Sequence, residues 1–520
     1  MGPSTQKPLP DSSLADMTEL GAGKTISNTV GETIGDDTAC FDPLVLRRLK
    51  RKADFILLPL LTIAYLLNSL DRSNLSNAHT AGLTADLGLV GNQYNQLLTY
   101  YSIPLVILGP VFTMLTRFFG ARCVLSAMLL VFGAASLASG FVHNFKEMVV
   151  CRVFVGAFES GFLASVIYYL STWYTRRELA SRIGIFYAAL VGSSAFGGLF
   201  AYGMFQIKSQ NETYFRWSYL FFLEGGLTML WAVVVLLALP SGPQSAWFLS
   251  ASEKEVALLR IEQDALRVGR LLSSGVFSAP TFSWKEALSE FTTPHGYIRV
   301  TLSFLGGTVL TSNANFLAIV VQRLGYSVVK TNLYTVAPAL VGAVVLIAIC
   351  KSSDYFHERG FHQAAASTLS LVGYIILATI SSTNTAVLYF AMFLCTMGAY
   401  PGTPIGAAWT MDNIPNLNAR ALTSGIFVAV GNCGGILSSN LYFAREAPRY
   451  ITCLVVNIVM SAILVVASVA YTLWMRWENR RRDKKYGLSI DTSITSMEGT
   501  TEGTMEGINS SRDPRFRFAT

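Results

Sequence analysis

The chain has 520 residues, 52% of them hydrophobic and only 14% charged, with a formal net charge of +7 and a mean hydropathy of +0.44. A water-soluble domain carries about 25% charged residues, so this composition excludes a protein whose whole surface faces water. At about 20 residues per crossing, the length allows about twelve membrane helices with short loops and polar tails.

Taken in chain order, the first 42 residues are polar and are expected to form a disordered cytoplasmic tail. No N-terminal signal peptide is visible. The first apolar stretch begins at Phe55 and is long enough to span, so it serves as both anchor and span. Runs of spanning length follow one another near 55–76, 94–115, 123–142, 148–169, 183–205 and 218–239. A second set lies near 297–320, 333–350, 363–382, 386–409, 422–442 and 451–475. The fold class is therefore all-α and polytopic, with an N-terminal six-helix half at 43–240 and a C-terminal half at 297–476.

Between the halves, the polar segment 241–296 is expected to be a cytoplasmic central loop with short amphipathic helices. Ser252 with Glu255 has the spacing of a capping box, and Ser283 with Glu286 repeats it just before the seventh span. Residues 477–520 are expected to be a second disordered cytoplasmic tail.

Lysine and arginine orient the chain, because cytoplasmic loops retain them. With the N-terminus inside, the inner loops receive Arg47, Arg48, Lys50, Arg51, Lys52, Arg117, Arg122, Arg176, Arg177 and Arg182, then Arg420 and the run from Arg480 to Lys485. Few basic residues fall on outer loops. Both termini are thus expected in the cytoplasm, and the positive charge reflects topology rather than a nucleic-acid partner. Asn211-Glu212-Thr213 is a glycosylation sequon in the outer loop between spans five and six. The sequon at Asn74 sits too near the first helix to be a good acceptor, and the one at Asn509 falls on the wrong side.

The seven cysteines form no CxxC pair, and the five histidines show no ligand spacing, so neither a disulfide framework nor a metal site is expected. There is no Walker A motif, GxGxxG after a strand, HExxH or nucleophile elbow. An enzyme, a bound cofactor and ATP drive all lack their motifs, which leaves an ion gradient or the solute's own as the energy source.

Charges inside spans are the informative feature, since each costs at least ~2.5–3.5 kcal/mol at a helix centre unless paired or wetted. Asp71 and Arg72 lie in the outer part of the first span, Arg152 and Glu159 in the fourth, and Glu224 in the sixth. Arg152 and Glu159 share one helix face about 10 Å apart along the axis. Two acids and two bases on helices that can face each other read as a titratable site; the plainer alternative is two ion pairs that lock the helices. Asn313 and Asn432 are candidate polar contacts for a solute, or joints between neighbouring helices.

An ordered series of residues then carries a family resemblance: Asp71-Arg72-Ser73-Asn74, Asp86-Leu87-Gly88-Leu89, Gln93-Tyr94-Asn95, Arg152, Gly156, Glu159, Gly161, Trp173-Tyr174, Glu178 and Arg182. It continues through Asn332-Leu333, Pro338, Ser353-Asp354, Arg359-Gly360, Trp409, Asn413, Arg420, Asn432 with Gly434-Gly435, and Pro448-Arg449-Tyr450. From about Phe41 to Tyr486 the chain resembles the anion:cation symporters of the major facilitator superfamily, specifically the fungal allantoate permease group. The resemblance implies two six-helix halves rocking about one central site.

By position, it makes Asp71 and Glu159 the proton carriers, Arg72 the contact for a substrate carboxylate and Arg152 the switching partner. Asp354, Arg359 and Arg420, with Glu224, are assigned to gating or packing. The chain departs from the family pattern at Ser69, at Phe162-Leu163-Ala164 after Glu159-Ser160-Gly161, and at Asn416-Leu417-Asn418-Ala419-Arg420. The first two departures lie near the implied site and bear on substrate identity.

The expected function is proton-coupled uptake of a small organic anion, such as a ureide, vitamin or amide carboxylate, by a monomer in the plasma membrane. The alternative is export of a fungal secondary metabolite or toxin from a biosynthetic gene cluster.

Overall fold

The computed structural model describes residues 42–91, 93–205, 215–267, 283–322, 328–380, 384–441, 446, 449–486, 511 and 516–520. Asn211 and Asn509 fall outside this set. Regular structure among the described residues is entirely helical.

The N-terminal half consists of α1 (Pro43–Thr80), α2 (Gln93–Phe119), α3 (Ala121–Ser139), α4 (Phe145–Leu170), α5 (Arg176–Phe205) and α6 (Ser218–Ala238). The C-terminal half consists of α7 (Pro294–Gln322), α8 (Val328–Phe356), α9 (Gly360–Thr379), α10 (Thr385–Asp412), α11 (Leu417–Ser439) and α12 (Ile451–Tyr486). Among the described residues, ten of the twelve are both long enough and apolar enough to cross a membrane. The other two, α5 and α7, have 30 and 29 residues and match them in length. The expected spans and the observed helices correspond one to one.

α1 begins well ahead of its apolar run because Asp42 accepts the Leu44 N–H at 2.9 Å and Pro43 occupies the first helical position. Its basic first turns leave the apolar layer and pair with acids elsewhere: Lys50 with Glu178 and Lys52 with Glu253. α4 is two segments, Phe145–Glu159 and Phe162–Leu170, joined at Ser160-Gly161. Asn144 caps its start by accepting the Glu147 N–H at 3.0 Å.

The two halves repeat one packing scheme. α1 packs on α5, α2 on α4, α3 on α4 and on α6; six helices later α7 packs on α11, α8 on α10, and α9 on α10 and α12. The halves meet along α2 with α11 and α5 with α8, which are equivalent pairs under the same repeat. Unlike a soluble protein, the bundle is apolar outside as well as in its core, and buries several charges. Phe55, Ile107, Leu230, Val344 and Val466 are exposed on the outside, whereas Asn68, Asp71, Arg152, Glu159, Glu224 and Asn313 are buried. Apolar side chains gain nothing from leaving hydrocarbon, so small residues that admit close helix approach bring the bundle together. A Cβ on Gly156 would run into the Tyr101 carbonyl, one on Gly307 into Gly431, and one on Gly434 into the Phe304 carbonyl.

Three local expectations need correction. The central helix runs Ala251–Arg267, and its capping box is Ser250 with Glu253: Ser250 N–H donates to Glu253 Oε2 at 2.9 Å and Glu253 N–H to Ser250 Oγ at 3.3 Å. Ser252 and Glu255 lie two residues further in, because the chain uses the earlier of two matching spacings. Ser283 does precede the short helix Trp284–Ala287, but its side chain makes no cap bond; Glu286 instead accepts from Asn416 at 2.9 Å and Asn418 at 3.0 Å. Finally, α12 continues to Tyr486 and residues 516–520 pack against the bundle, although 477–520 reads as featureless tail. Low apolar content hides two buried phenylalanines in the last residues, Phe516 and Phe518.

With an even number of spans, α1 starts and α12 ends on the same side of the bundle, here termed the terminal face. The central helix docks on that face against the N-terminal half: Arg260 Nη1 donates to Glu178 at 3.0 Å and Arg260 Nη2 to the Trp173 carbonyl at 3.1 Å. Asp264 accepts the Arg176 N–H at 3.3 Å. Burial pushes the Asp264 carboxyl above its ordinary range, and the Arg176 guanidinium partly counters that.

Candidate functional site

A cavity of about 180 Å³ lies between the halves, walled by α1, α4 and α5 on one side and α7, α10 and α11 on the other. Arg72 is the only charged residue among the described side chains lining it. Around it stand Tyr65, Tyr187 and Tyr400, the hydroxyls of Ser303, Thr311 and Thr403, and Asn432. Leu163, Leu190, Leu310 and Phe427 supply apolar wall.

Arg72 Nε donates to Glu159 Oε1, and Tyr101 Oη donates to Glu159 Oε2 at 2.9 Å. The arginine side chain keeps 29% of its surface exposed, and the glutamate keeps none. The carboxylate is therefore reached through the arginine, which presents its remaining face to the cavity. α4 can deliver Glu159 here because Gly156, one turn earlier, lets the helix lie directly on the Tyr101 backbone.

Asp71 points elsewhere, since consecutive helical residues are rotated by about 100°. It accepts from Ser136 Oγ of α3 and from Asn74 Nδ2 at 3.3 Å, and its Oδ2 has no hydrogen-bond partner. Asn74, three residues on and so on the same helix face, also donates to Glu224 of α6. Asp71, Asn74 and Glu224 thus form a polar cluster inside the N-terminal half, behind the cavity wall. This use of Asn74, fully buried, leaves its sequon unreachable.

Arg152 is buried between α3 and α6. Its Nη2 lies 3.4 Å from Ser139 Oγ, its guanidinium stands 5.2 Å over the Phe221 ring, and its Nε has no partner. It does not line the cavity. The structure thus brings together Arg72, Glu159 and Asn432 of the expected site, and sets Asp71, Arg152 and Glu224 one layer behind. Asn313 also stands apart, buried within the C-terminal half where its Oδ1 accepts from Thr396 at 3.3 Å.

At the terminal face the halves are bolted together. Asp354, near the end of α8, accepts the N–H groups of Ala180 at 3.2 Å and Ser181 at 2.7 Å from α5. Arg359 donates to Asp354 at 2.6 Å, to Asp412 at 3.1 Å and to the Arg176 carbonyl of the other half. Arg359 is only 3% exposed, so this network lies out of bulk solvent. The bundle is closed at this face. Arg420 Nε donates to the Ile414 carbonyl at 2.7 Å, closing the turn between α10 and α11.

The cavity tyrosines, the hydroxyls and Tyr101 escape sequence reading. Tyr65 and Arg72 sit seven residues apart, close to two turns, and that spacing was the available signal. Tyr101, Tyr187 and Tyr400 come from helices whose relative placement no spacing reveals.

Residues 61–439 match a family model described as Major Facilitator Superfamily. Over 457 residues the chain is 40% identical to the MFS-type transporter efuF of Hormonema carpetanum, covering 87% of this chain and 90% of that one. It is 29% identical over 445 residues to the high-affinity nicotinic acid transporter of Saccharomyces cerevisiae, covering 84% and 79%. Among solved structures, the proton:xylose symporter XylE superposes with a TM-score of 0.64 at 16% identity, covering 81% of this chain and 95% of the other.

Proposed function

The chain belongs to the major facilitator superfamily, a family of transporters rather than enzymes, and we propose that it carries a small organic anion together with a proton by alternating access at the central cavity. The observation that carries this reading is the Arg72–Glu159 pair, with the arginine facing the cavity and the glutamate sealed behind it.

Charge alone sets the logic. With Glu159 ionised, Arg72 is already neutralised, and a substrate carboxylate entering the confined site would leave one uncompensated negative charge, at a cost of several kcal/mol. Protonation of Glu159 releases the guanidinium, whose planar fork donates two parallel bonds to a carboxylate. Anion and proton then load together and leave together. Asp71, with Glu224 beyond Asn74, is proposed as a second stop for the proton inside the N-terminal half. Arg152, lying beside that cluster over Phe221, is the switching partner an acid gains in another state of the cycle.

Asn432, Tyr65, Tyr187 and Tyr400 give the cavity polar and aromatic walls. They favour a flat, small carboxylate, and the similarity to a nicotinic acid transporter supports that class. The Lys and Arg distribution supports a cytoplasmic terminal face, so the closed network at Asp354, Arg359 and Asp412 describes a carrier sealed toward the cytoplasm. A single chain in the plasma membrane completes the reading.

One observation favours export of a larger metabolite instead. Leu163, at a position where the chain departs from the symporter pattern, puts alkyl surface on the cavity wall. Proteoliposomes separate the two readings. Acid-stimulated accumulation of labelled nicotinate or another small carboxylate, with acid on the substrate side, is expected. Uptake indifferent to the proton gradient sinks the coupling, and accumulation that requires acid on the opposite side marks proton-exchange export.

A further inference from the structure

Residues 516–520 occupy a groove on the terminal face of the C-terminal half, between the beginnings of α7 and α9 and the ends of α10 and α12. Phe516 and Phe518 are 0% and 4% exposed. The Phe518 ring lies tilted against the His295 ring, centroids 4.5 Å apart, with the Arg482 guanidinium 4.8 Å above it. Arg517 pairs with Asp483 at 2.7 Å.

The main chain is read as closely as the rings. Phe518 N–H donates to Asn479 Oδ1 at 2.9 Å, and its carbonyl accepts from Asn479 Nδ2 at 2.8 Å. Ala519 repeats this with Asn413, at 2.8 and 2.9 Å, and its carbonyl also takes Trp409 Nε1 at 3.0 Å. A main-chain oxygen of Thr520 accepts the Arg359 N–H at 2.7 Å. Two asparagines reading successive peptide units, beside an aromatic pocket, constitute a peptide-docking site rather than chance contact.

We propose that this groove binds the chain's own residues 516–520 as a latch that holds the terminal face closed. The partners of the latch are the gate residues or their neighbours. Thr520 holds the backbone of Arg359, and Ala519 holds Asn413, next to Asp412 in sequence. Arg359 is the side chain that joins Asp354 and Asp412 to the Arg176 carbonyl of the N-terminal half. Docking fixes Arg359 and the end of α10 in the arrangement that reaches across, so it stabilises the closed state over one in which the halves part there. The linkage is reciprocal: opening the face weakens docking, and occupancy of the groove slows opening.

Cys350 provides the readout. It is fully buried on α8, four residues before Asp354, against Gly184 of α5, so a maleimide reaches it only when the halves separate at this face. The experiment measures the rate of N-ethylmaleimide labelling in a purified variant whose only cysteine is Cys350. Three proteins are compared: the full chain, a chain lacking residues 516–520, and a full chain carrying Phe518→Ala. Deletion is expected to raise the rate about fivefold or more, Phe518→Ala by less. Free pentapeptide Phe-Arg-Phe-Ala-Thr is expected to restore the slow rate to the deleted chain, and a scrambled peptide is not. A deleted chain labelled at the rate of the full chain overturns the latch. So does acceleration that the pentapeptide fails to reverse, which reports damaged packing. No substrate enters the assay, so its failure is separable from failure of the transport reading.

Discussion

Arg72 of α1 and Glu159 of α4 close on each other at the cavity wall, and of the two only Arg72 faces the space between the halves. The acid meets the cavity through the base, so any ligand of the arginine competes with the glutamate. This competition orders the predictions for transport.

Glu159→Gln keeps shape and hydrogen bonding but removes the competing charge. Acid-driven net uptake in proteoliposomes should fall at least about tenfold, while exchange of labelled for unlabelled substrate stays within about threefold of the parent. Loss of both activities together would assign Glu159 to structure alone.

Arg72→Lys retains the charge and loses the fork. The KM for a carboxylate substrate should rise at least about tenfold, equivalent to about 1.4 kcal/mol. Arg72→Ala should also lower the thermal unfolding midpoint, because a buried Glu159 without its partner costs about 3–5 kcal/mol. A KM unchanged in the lysine variant would remove Arg72 from the binding site.

The buried network of Asp354, Arg359 and Asp412 predicts non-additivity. Asp354→Asn and Arg359→Gln each break one buried network, and each should cost about 3 kcal/mol of stability. Their combination should cost less than the sum of the two, since both remove the shared Arg359–Asp354 bond. Additive shifts in the unfolding midpoint would show that the two residues act independently.

Neighbouring glycines give a controlled test of packing. Gly307→Ala drives a methyl group into the Gly431 backbone and should destabilise by about 1–3 kcal/mol. Gly306→Ala meets nothing within 4 Å and should be neutral or stabilising by about 0.5–1 kcal/mol, through lower chain entropy in the unfolded state. Thermal unfolding in detergent distinguishes them, and equal effects would refute the close approach of α7 and α11.

Hydropathy made the twelve crossings legible, because a backbone in hydrocarbon must satisfy its own hydrogen bonds and so needs an apolar helical stretch of set length. The same rule exposed Asp71, Arg72, Arg152, Glu159 and Glu224, since charge inside such a helix stands out against its surroundings. The partners of those charges were less accessible. Asp71 and Arg72 are adjacent in sequence, yet one faces Ser136 and the other the cavity. Asn313 and Asn432 read alike as polar residues in spans, yet one is locked to Thr396 and the other lines the cavity. The tail showed the reverse failure: an average over a polar stretch conceals Phe516 and Phe518, which need only a local groove.

The sequence by itself determined the all-helical class, the six-plus-six order of spans and the short set of residues able to carry charge inside them, because length, polarity and period are properties of neighbours along the chain. Tertiary structure alone decided that Arg72 meets Glu159, that Arg359 joins the halves and that the last residues dock beside it. Each depends on how helices distant in sequence are rotated and placed, and in a bilayer that placement follows from close packing of small residues, to which apolar pattern is blind.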